Sequence, residues 1–545
     1  MKTPELVLQR ALIYDGTNRP PVRGDIAIYH DRILAIDAEG ALHGMEELDC
    51  RGLAVAPGFI DTHSHSDLRV LDEPTLPMKV RQGITLEVFG QDGISVAPVR
   101  VEDRAQVIQQ LAGLDGRLSR EWDWQSVGEY LDSLDRARPS LDCSFLIPHG
   151  QVRLHTLGME DRRATRDELT AMQQLTRQSM REGALGLSTG LIYPPCCYAD
   201  TAELIELARA VAEFDGIFVA HMRSESDYLE DSVAEMIEIG RASGVRIHIS
   251  HFKAAGRENW PRIDSVLEMI RKAQATGLRL TADQYPYIAG STMLGAILPP
   301  WAHAGGVEST LARLTSEAER GRMRGEMLDR TPSHWDNFWK WSGPEGIIVS
   351  DIPSGHHSEV VGKSLAEAAA IAHNAEQGVS EATAVDFAFD LLATERMGVG
   401  LISFSQSEEV VCKIMREPYV NVCTDGLLGG KPHPRAYGTY PRILGRYVRE
   451  QNLITLEEAV RKMSALAAET FQLGGYGRIA DGMKANLVVF DPERVIDTAT
   501  FADSKQYPIG IEHVIVEGKA AIRYGEAYQS GSGIAVRKGS DGREL

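Results

Sequence analysis

Six side chains of two ligand types recur at like positions along this chain. His63 and His65 lie in APGFIDTHSHSD, Asp92 follows ITLEVFGQ, His221 ends GIFVAH, His251 ends VRIHISH, and Asp425 lies in YVNVCTDG. Each comes at the end of a short apolar run, and Gln91 shares the place of Asp92. Alternate residues of an extended strand point to one face, so His63 and His65 project together. One histidine after a strand is ordinarily a hydrogen-bonded structural residue. Four histidines and two carboxylates at matching strand ends point instead to one metal centre. Imidazole with carboxylate suits zinc, with iron, nickel and manganese as competitors. Zinc would lower the pKa of a bound water to about 7 and polarise a carbonyl oxygen. A carboxylate in reach could take the proton from that water and hand it to a departing nitrogen. Asp425, on the last strand, is placed for that work.

Such a centre needs elements that bring distant strand ends together. LAVAPGFIDTH, ITLEVFGQ, CSFLIPHG, ALGLSTGLIY, GIFVAH, VRIHISH, LRLTADQYPY and YVNVCTDG read as strands. Helical stretches alternate with many of them, including RDELTAMQQLTRQSMREG and RIDSVLEMIRKAQATG, with glycine as the stop signal. The alternation predicts an α/β fold, a (β/α)8 TIM barrel over residues 56–474, with catalytic groups at the C-terminal strand ends. Residues 288–350, rich in Trp, Pro and charge, read as an inserted subdomain. GIIVSDIP and GLISFS add two further strand-like runs. Alternating runs in residues 1–55 and 475–545, SGIAVRKG among them, predict one small β-sandwich domain built from both chain ends.

The 545 residues carry a net charge of -20, which argues against nucleic acid and anionic membranes as partners. The six cysteines form no C-x-x-C pair and no secreted disulfide pattern. MKTPELVLQR has no apolar signal core, and no apolar run is long enough to span a bilayer, so a cytoplasmic location is expected.

Taken together, PGFIDTHSHSD, QGITLEVFGQDGISVAP, GALGLSTGLIYPP, AHMRSES, HISHFKAAG, DQYPYIAGST and CTDG followed by KPHPRAYGTYPRILGRY resemble the amidohydrolase superfamily. Within it they resemble the N-acyl-D-amino-acid deacylases, or D-aminoacylases, over essentially the whole chain. The resemblance implies zinc-dependent cleavage of the amide between an acyl group and a D-amino acid, with one tight zinc site and a second, weaker one. Carried over by position, it makes His63, His65, His221 and His251 metal ligands and Asp425 the catalytic acid/base and a ligand. Where that family usually has Gly-Asn-Cys-Gly with a cysteine ligand, this chain has GQDG. Asp92 is expected to bind metal in place of the thiolate, against the alternatives of an Asp-Gly turn residue or a substitute role for Glu87.

A small-molecule substrate with a free carboxylate needs fixed cations and donors. Lys253 lies two residues past His251, Tyr285 opens YPY, and Arg435 sits in HPR; the resemblance assigns all three to that carboxylate. It assigns Tyr193 to the scissile carbonyl oxygen. Outside the resemblance, both tyrosines read as packing residues and Lys253 as a solvated charge. Cys196 and Cys197 read as small loop residues, His149, His356 and His357 as structural, and His433 as a residue that could orient Arg435. The apolar TMLGAILPPWAHAGG leans toward hydrophobic substrates, or toward simple packing of the insertion.

Related ring-opening and dipeptide hydrolases, hydantoinase-like, dihydroorotase-like or isoaspartyl-dipeptidase-like, often use a carboxylated lysine from strand four. ALGLSTGLIY contains no lysine. A non-catalytic scaffold on the same fold would be expected to lose the ligand set retained here.

Overall fold

The computed structural model describes residues 2–375, 378–528 and 531–538. The frame that positions the six side chains is a set of eight parallel strands in chain order. They are Phe59–Asp61, Ile84–Phe89, Asp142–Phe145 with its continuation Ile147–Pro148, Gly186–Gly190, Ile217–His221, Arg246–Ile249, Leu280–Gln284 and Val420–Val422. Neighbours pair in parallel from the first to the third strand, and from Ile147–Pro148 round to the eighth. Most are buried along their whole length, as strands covered on both faces must be. The eighth strand meets the first through Asp425 N, which donates to His63 O at 2.8 Å, and through a parallel bridge between Ser64 and Gly426. The Tyr440 hydroxyl lies 2.7 Å from Ile60 O and 3.0 Å from Val422 O, across the same seam. The fold is thus α/β and TIM-barrel-like.

The covering helices follow their sequence signals. Thr165 and Glu168 form a reciprocal capping box on Arg166–Arg181, and Gly244 ends Leu229–Ser243 in the left-handed region at φ 77°.

The two chain ends pair into one nine-stranded sheet. Leu487–Phe490 lies antiparallel to Ala54–Pro57, and the strands share a core that includes Leu8, Ile28, Val55, Leu487 and Ile515. One further residue separates Pro57 from Phe59, so the small sheet runs directly into the strand that carries His63. A side chain at Gly58 would collide with Thr85 there.

SGIAVRKG departs from expectation. Its described part, 532–538, does not join the small sheet. Cys143 N donates to Ile534 O (2.9 Å), Val536 N to Cys143 O (2.7 Å) and Lys538 N to Gly183 O (2.9 Å). This tail fills the lower gap between the third and fourth strands, where those strands do not pair with each other. The remainder, 539–545, lies outside the described residues.

In the region expected to be inserted, Ala289–Met293, Gly400–Phe404 and Ile347–Asp351 form a separate antiparallel sheet. GIIVSDIP and GLISFS are its other two strands. A second apolar cluster runs from Leu294 to Leu401, past the boundary at 350 drawn from the sequence.

Candidate metal centre and active site

Asp92 stands at the middle of the site. Its Oδ1 is buried with no hydrogen-bond partner, yet lies 3.5 Å from His63 Nε2, 3.4 Å from His251 Nε2 and 4.0 Å from His221 Nδ1. Its Oδ2 lies 3.6 Å from His65 Nε2. Two groups of metal-ligating atoms share this carboxylate: His63, His65 and Asp92, and Asp92, His221 and His251. An orphaned buried carboxylate oxygen facing three imidazole nitrogens fits a cation, and the donor set fits zinc.

Three of the six residues hold the left-handed backbone that non-glycine residues rarely adopt: Asp92 at φ 57°, His251 at 34° and Asp425 at 48°. Such conformations cost on the order of 1–3 kcal/mol each and persist where the surroundings over-determine them. The surroundings of Asp92 are close. Side chains at Gly90 and Gly93 would run into the Leu146 carbonyl and Cys196 Sγ respectively. GQDG therefore places a carboxylate between two positions where nothing larger than glycine fits, and Cys196 packs against one of them.

Asp425 completes the set from the last strand. Its Oδ1 lies 3.4 Å from His65 Nε2 and 3.8 Å from His63 Nε2, while Oδ2 is 2.8 Å from Arg435 Nη1. Burial raises the Asp425 carboxyl pKa, but Arg435 and then His65 outweigh burial and hold it well below the usual carboxylate range. Asp92 is held low in the same way, with His63 the largest opposing charge to burial. Burial pushes the His221 imidazole down to about 4, whereas at His65 and His251 the neighbouring carboxylates outweigh burial and raise the imidazole above its ordinary value.

A cavity of about 470 Å³ opens over this cluster, lined by His65, Asp92, His221, His251 and Asp425 together with Tyr193, Lys253 and Tyr285. The Tyr193 hydroxyl is 2.8 Å from Thr292 Oγ1. The Tyr285 hydroxyl accepts from Gln406 Nε2 at 2.9 Å. Lys253 Nζ is 2.7 and 2.8 Å from the two oxygens of Glu225 and 2.7 Å from His251 Nδ1.

Arg435 differs from expectation. It is fully buried, stacked 4.4 Å from the Tyr285 ring centre, and donates through Nη2 to Ser291 O at 2.9 Å. Its nearest carboxylate is Asp425, so in this structure it stands behind the cavity wall. His433 takes the orienting part the sequence left open, because its Nδ1 accepts from Arg435 N at 3.0 Å.

The other candidates stand apart. Glu87 lies 2.5 Å from Lys79 Nζ and 2.7 Å from Ser64 Oγ, inside a buried cluster beneath the site. His149 bridges Thr189 and Glu203, and His357 pairs with Glu395. Gln91 turns inward, donating to Thr62 O.

Two carboxylates escaped the sequence reading. Glu225, four residues past His221 in AHMRSES, lies 3.1 Å from His251 Nδ1 as well as against Lys253. Asp115, in the loop AGLDG, lies 3.5 Å from His65 Nδ1; both its oxygens are buried without a hydrogen-bond partner. The only local signal for Asp115 is a glycine on either side of LD. Gly113 packs against the backbone of Val399, and Leu114 lines the cavity.

The model of the amidohydrolase family matches residues 46–321 and 351–522. N-acyl-D-glutamate deacylase of Alcaligenes xylosoxydans is 34% identical over 519 residues, covering 95% of this chain and 93% of that one. D-aminoacylase of the same organism is 34% identical over 517 residues, covering 94% and 93%. The crystal structure of N-acyl-D-glutamate deacylase from Bordetella bronchiseptica, complexed with zinc and a phosphonate inhibitor, superimposes with a TM-score of 0.81 at 31% identity, covering 98% of this chain and all of that one. Among the described residues, no helix is long and apolar enough to cross a membrane.

Proposed function

The chain belongs to the amidohydrolase family, and we propose that it is a zinc-dependent hydrolase of the amide bond in N-acyl-D-amino acids, releasing a free D-amino acid and a carboxylate. The observation that carries this reading is the single cavity lined at once by His65, Asp92, His221, His251 and Asp425 and by Lys253 and Tyr285. A scissile amide and a free carboxylate can each find its complement there. We read the eight parallel strands as one (β/α)8 barrel over 56–474, the two chain ends as a small β domain, and the insertion as extending to about 404.

His63, His65, His221 and His251, with Asp92 shared between the two groups, would hold one zinc tightly and a second more weakly. When bound, zinc supplies an activated water at neutral pH and a Lewis acid for the carbonyl. Asp425, ionised and held by Arg435, accepts the proton through the oxygen that faces the histidines and returns it to the leaving nitrogen. Tyr193 turns its hydroxyl from Thr292 to the carbonyl oxygen as negative charge develops there. Lys253 and Tyr285 meet the substrate carboxylate from the cavity side; Arg435 supports both Tyr285 and Asp425 from behind. Glu225 holds Lys253 and the outer nitrogen of His251. A small molecule reaching a reducing cytoplasm is the expected setting, with no nucleic acid or membrane as partner.

The test is hydrolysis of paired N-acetyl-D- and N-acetyl-L-amino acids, followed by chelation and zinc add-back. Cleavage confined to the D series, lost on chelation and regained with zinc, is expected. Cleavage of L substrates alone would overturn the assignment.

A further inference from the structure

A second cavity, of about 1010 Å³, adjoins the first, and Tyr193 lines both. Thr292 stands on the catalytic side of the wall, and Met293, the next residue, on the far side. Tyr193, which lines both cavities, is hydrogen-bonded to Thr292 of the catalytic cavity at 2.8 Å. The far chamber is walled by Met159, Leu191, Ile192, Met293, Leu298 and Met397.

Three polar side chains of this chamber, Arg223, Asp336 and His303, are already engaged. Arg223 is the one Lys or Arg in its lining among the described residues. Its guanidinium is occupied by Glu235, at 3.1 Å from Nε and 2.9 Å from Nη2, and by the carbonyls of Cys197 and Ala199. Asp336 accepts from Ser224 Oγ, Ser226 Oγ and Glu225 N at 2.8, 2.6 and 2.8 Å. His303 pairs through Nε2 with Gly295 O at 3.1 Å, and burial pushes its pKa down to about 4, so it is neutral. A substrate carboxylate in the chamber would meet no unpaired lysine or arginine. A hydrocarbon would meet methionine and leucine side chains, and the three methionines, Met159, Met293 and Met397, are the flexible kind that repack around varied shapes.

We infer that this chamber receives an uncharged, apolar arm of the substrate beyond Tyr193, so that the chain acts on N-acyl-D-amino acids bearing a bulky hydrocarbon group and discriminates against acidic ones. This rests on the deacylase reading above and narrows its substrate class. The arm has two sources, the acyl chain or the amino-acid side chain, and both present the same chemistry to the chamber.

The zinc-loaded enzyme is tested with two series. One lengthens the acyl group on D-alanine from acetyl to octanoyl. The other keeps N-acetyl and varies the side chain through D-alanine, D-norleucine, D-phenylalanine, D-glutamate and D-aspartate. The expected result is a rise in kcat/KM of roughly three- to fourfold per added methylene in one series, which identifies the arm. N-acetyl-D-glutamate should fall below N-acetyl-D-norleucine. Ala296→Trp, which fills the chamber from its partly exposed wall, should shrink the long-to-short ratio by about tenfold or more. Ala296→Leu, a smaller intrusion, should shrink it less. Flat dependence in both series, or preference for D-glutamate or D-aspartate, would overturn the inference while leaving the deacylase reading intact. Failure to cleave any D substrate, N-acetyl-D-alanine included, would overturn that reading and this inference with it.

Discussion

Arg435 grips one oxygen of Asp425 at 2.8 Å and leaves the other turned toward His65 at 3.4 Å. The pair divides the carboxylate into an anchored side and a working side. Because Arg435 is fully buried against Asp425, its loss should act first on the acid/base and only secondarily on substrate affinity. Arg435→Met is expected to lower kcat by about tenfold or more with KM changed less than about threefold. Without the guanidinium the Asp425 carboxyl loses the largest charge opposing its burial, so its pKa rises. The acid limb of the kcat/KM profile should then move to higher pH. A rise in KM alone would return Arg435 to the direct carboxylate-binding role expected from sequence.

Asp115 should matter to metal retention although it faces away from the cluster's centre. It touches the outer nitrogen of His65, the place from which a carboxylate fixes the tautomer and ring angle of a ligating histidine. Asp115→Asn keeps the shape and removes the charge. Zinc affinity, read by competition with a chromophoric chelator, should weaken roughly 10- to 100-fold. Affinity equal to the unaltered chain's would mean that the contact is incidental.

The histidines were legible because each closes an apolar run, and parallel strands in chain order carry such ends to one rim. Asp92 was legible for the same reason, and its glycine neighbours explain how a carboxylate fits there. Asp115 and Glu225 were not, because each belongs to a loop whose course depends on contacts far away in sequence. Asp115 depends on packing against Val399, and Glu225 on the hold of Asp336 over Ser224 and Ser226. Arg435 was found but its surroundings were not, since sequence spacing does not reveal whether a guanidinium faces a cavity or lies behind its wall. The tail at 532–538 has a strand's composition, and only the gap between the third and fourth strands decides which sheet it joins.

Lys79 should be costly to remove. Its ammonium is fully buried, 2.9 Å from Asp61, 2.5 Å from Glu87 and 2.8 Å from Thr424 Oγ1, directly beneath Asp425 in the chain. Lys79→Met leaves two buried carboxylates without their cation, a loss of about 3–5 kcal/mol by analogy with broken buried pairs. The thermal midpoint should fall, and zinc content with it. Lys79→Met paired with Glu87→Gln should recover part of the loss, because one of the stranded charges is then gone.

Asp336 gives stability a pH dependence of definite sign. Burial raises its pKa to about 7, above the roughly 3.9 of an unfolded aspartate. Between these values the folded chain retains a proton that the unfolded chain has released, so stability falls as pH rises from about 4 to 7. The ceiling on this contribution is about 4 kcal/mol, three units at 1.36 kcal/mol each. Asp336→Asn should flatten the slope, so the thermal midpoint of the variant, relative to the unaltered chain, should be higher at pH 8 than at pH 5. Parallel midpoints across that range would refute the assignment.

Asp92 is the residue on which both ligand groups depend, so its replacements should separate charge from shape. Alanine removes the donor and also strains the backbone, because φ 57° suits Asp and Asn better than Ala. Asparagine tolerates that backbone and nearly matches the carboxylate in size, but carries no charge to share between two cations. Asp92→Asn should therefore keep the backbone but lose a carboxylate that the surrounding histidines stabilise, so its thermal midpoint in the absence of zinc should be lower than the unaltered chain's, and it should bind less zinc per chain by elemental analysis. Asp92→Cys offers one soft donor in place of two oxygens and should keep the tighter ion while weakening the second. Zinc content and turnover unaltered in Asp92→Asn would show that the four histidines and Asp425 hold the metal without it, and the central carboxylate would be a turn residue after all.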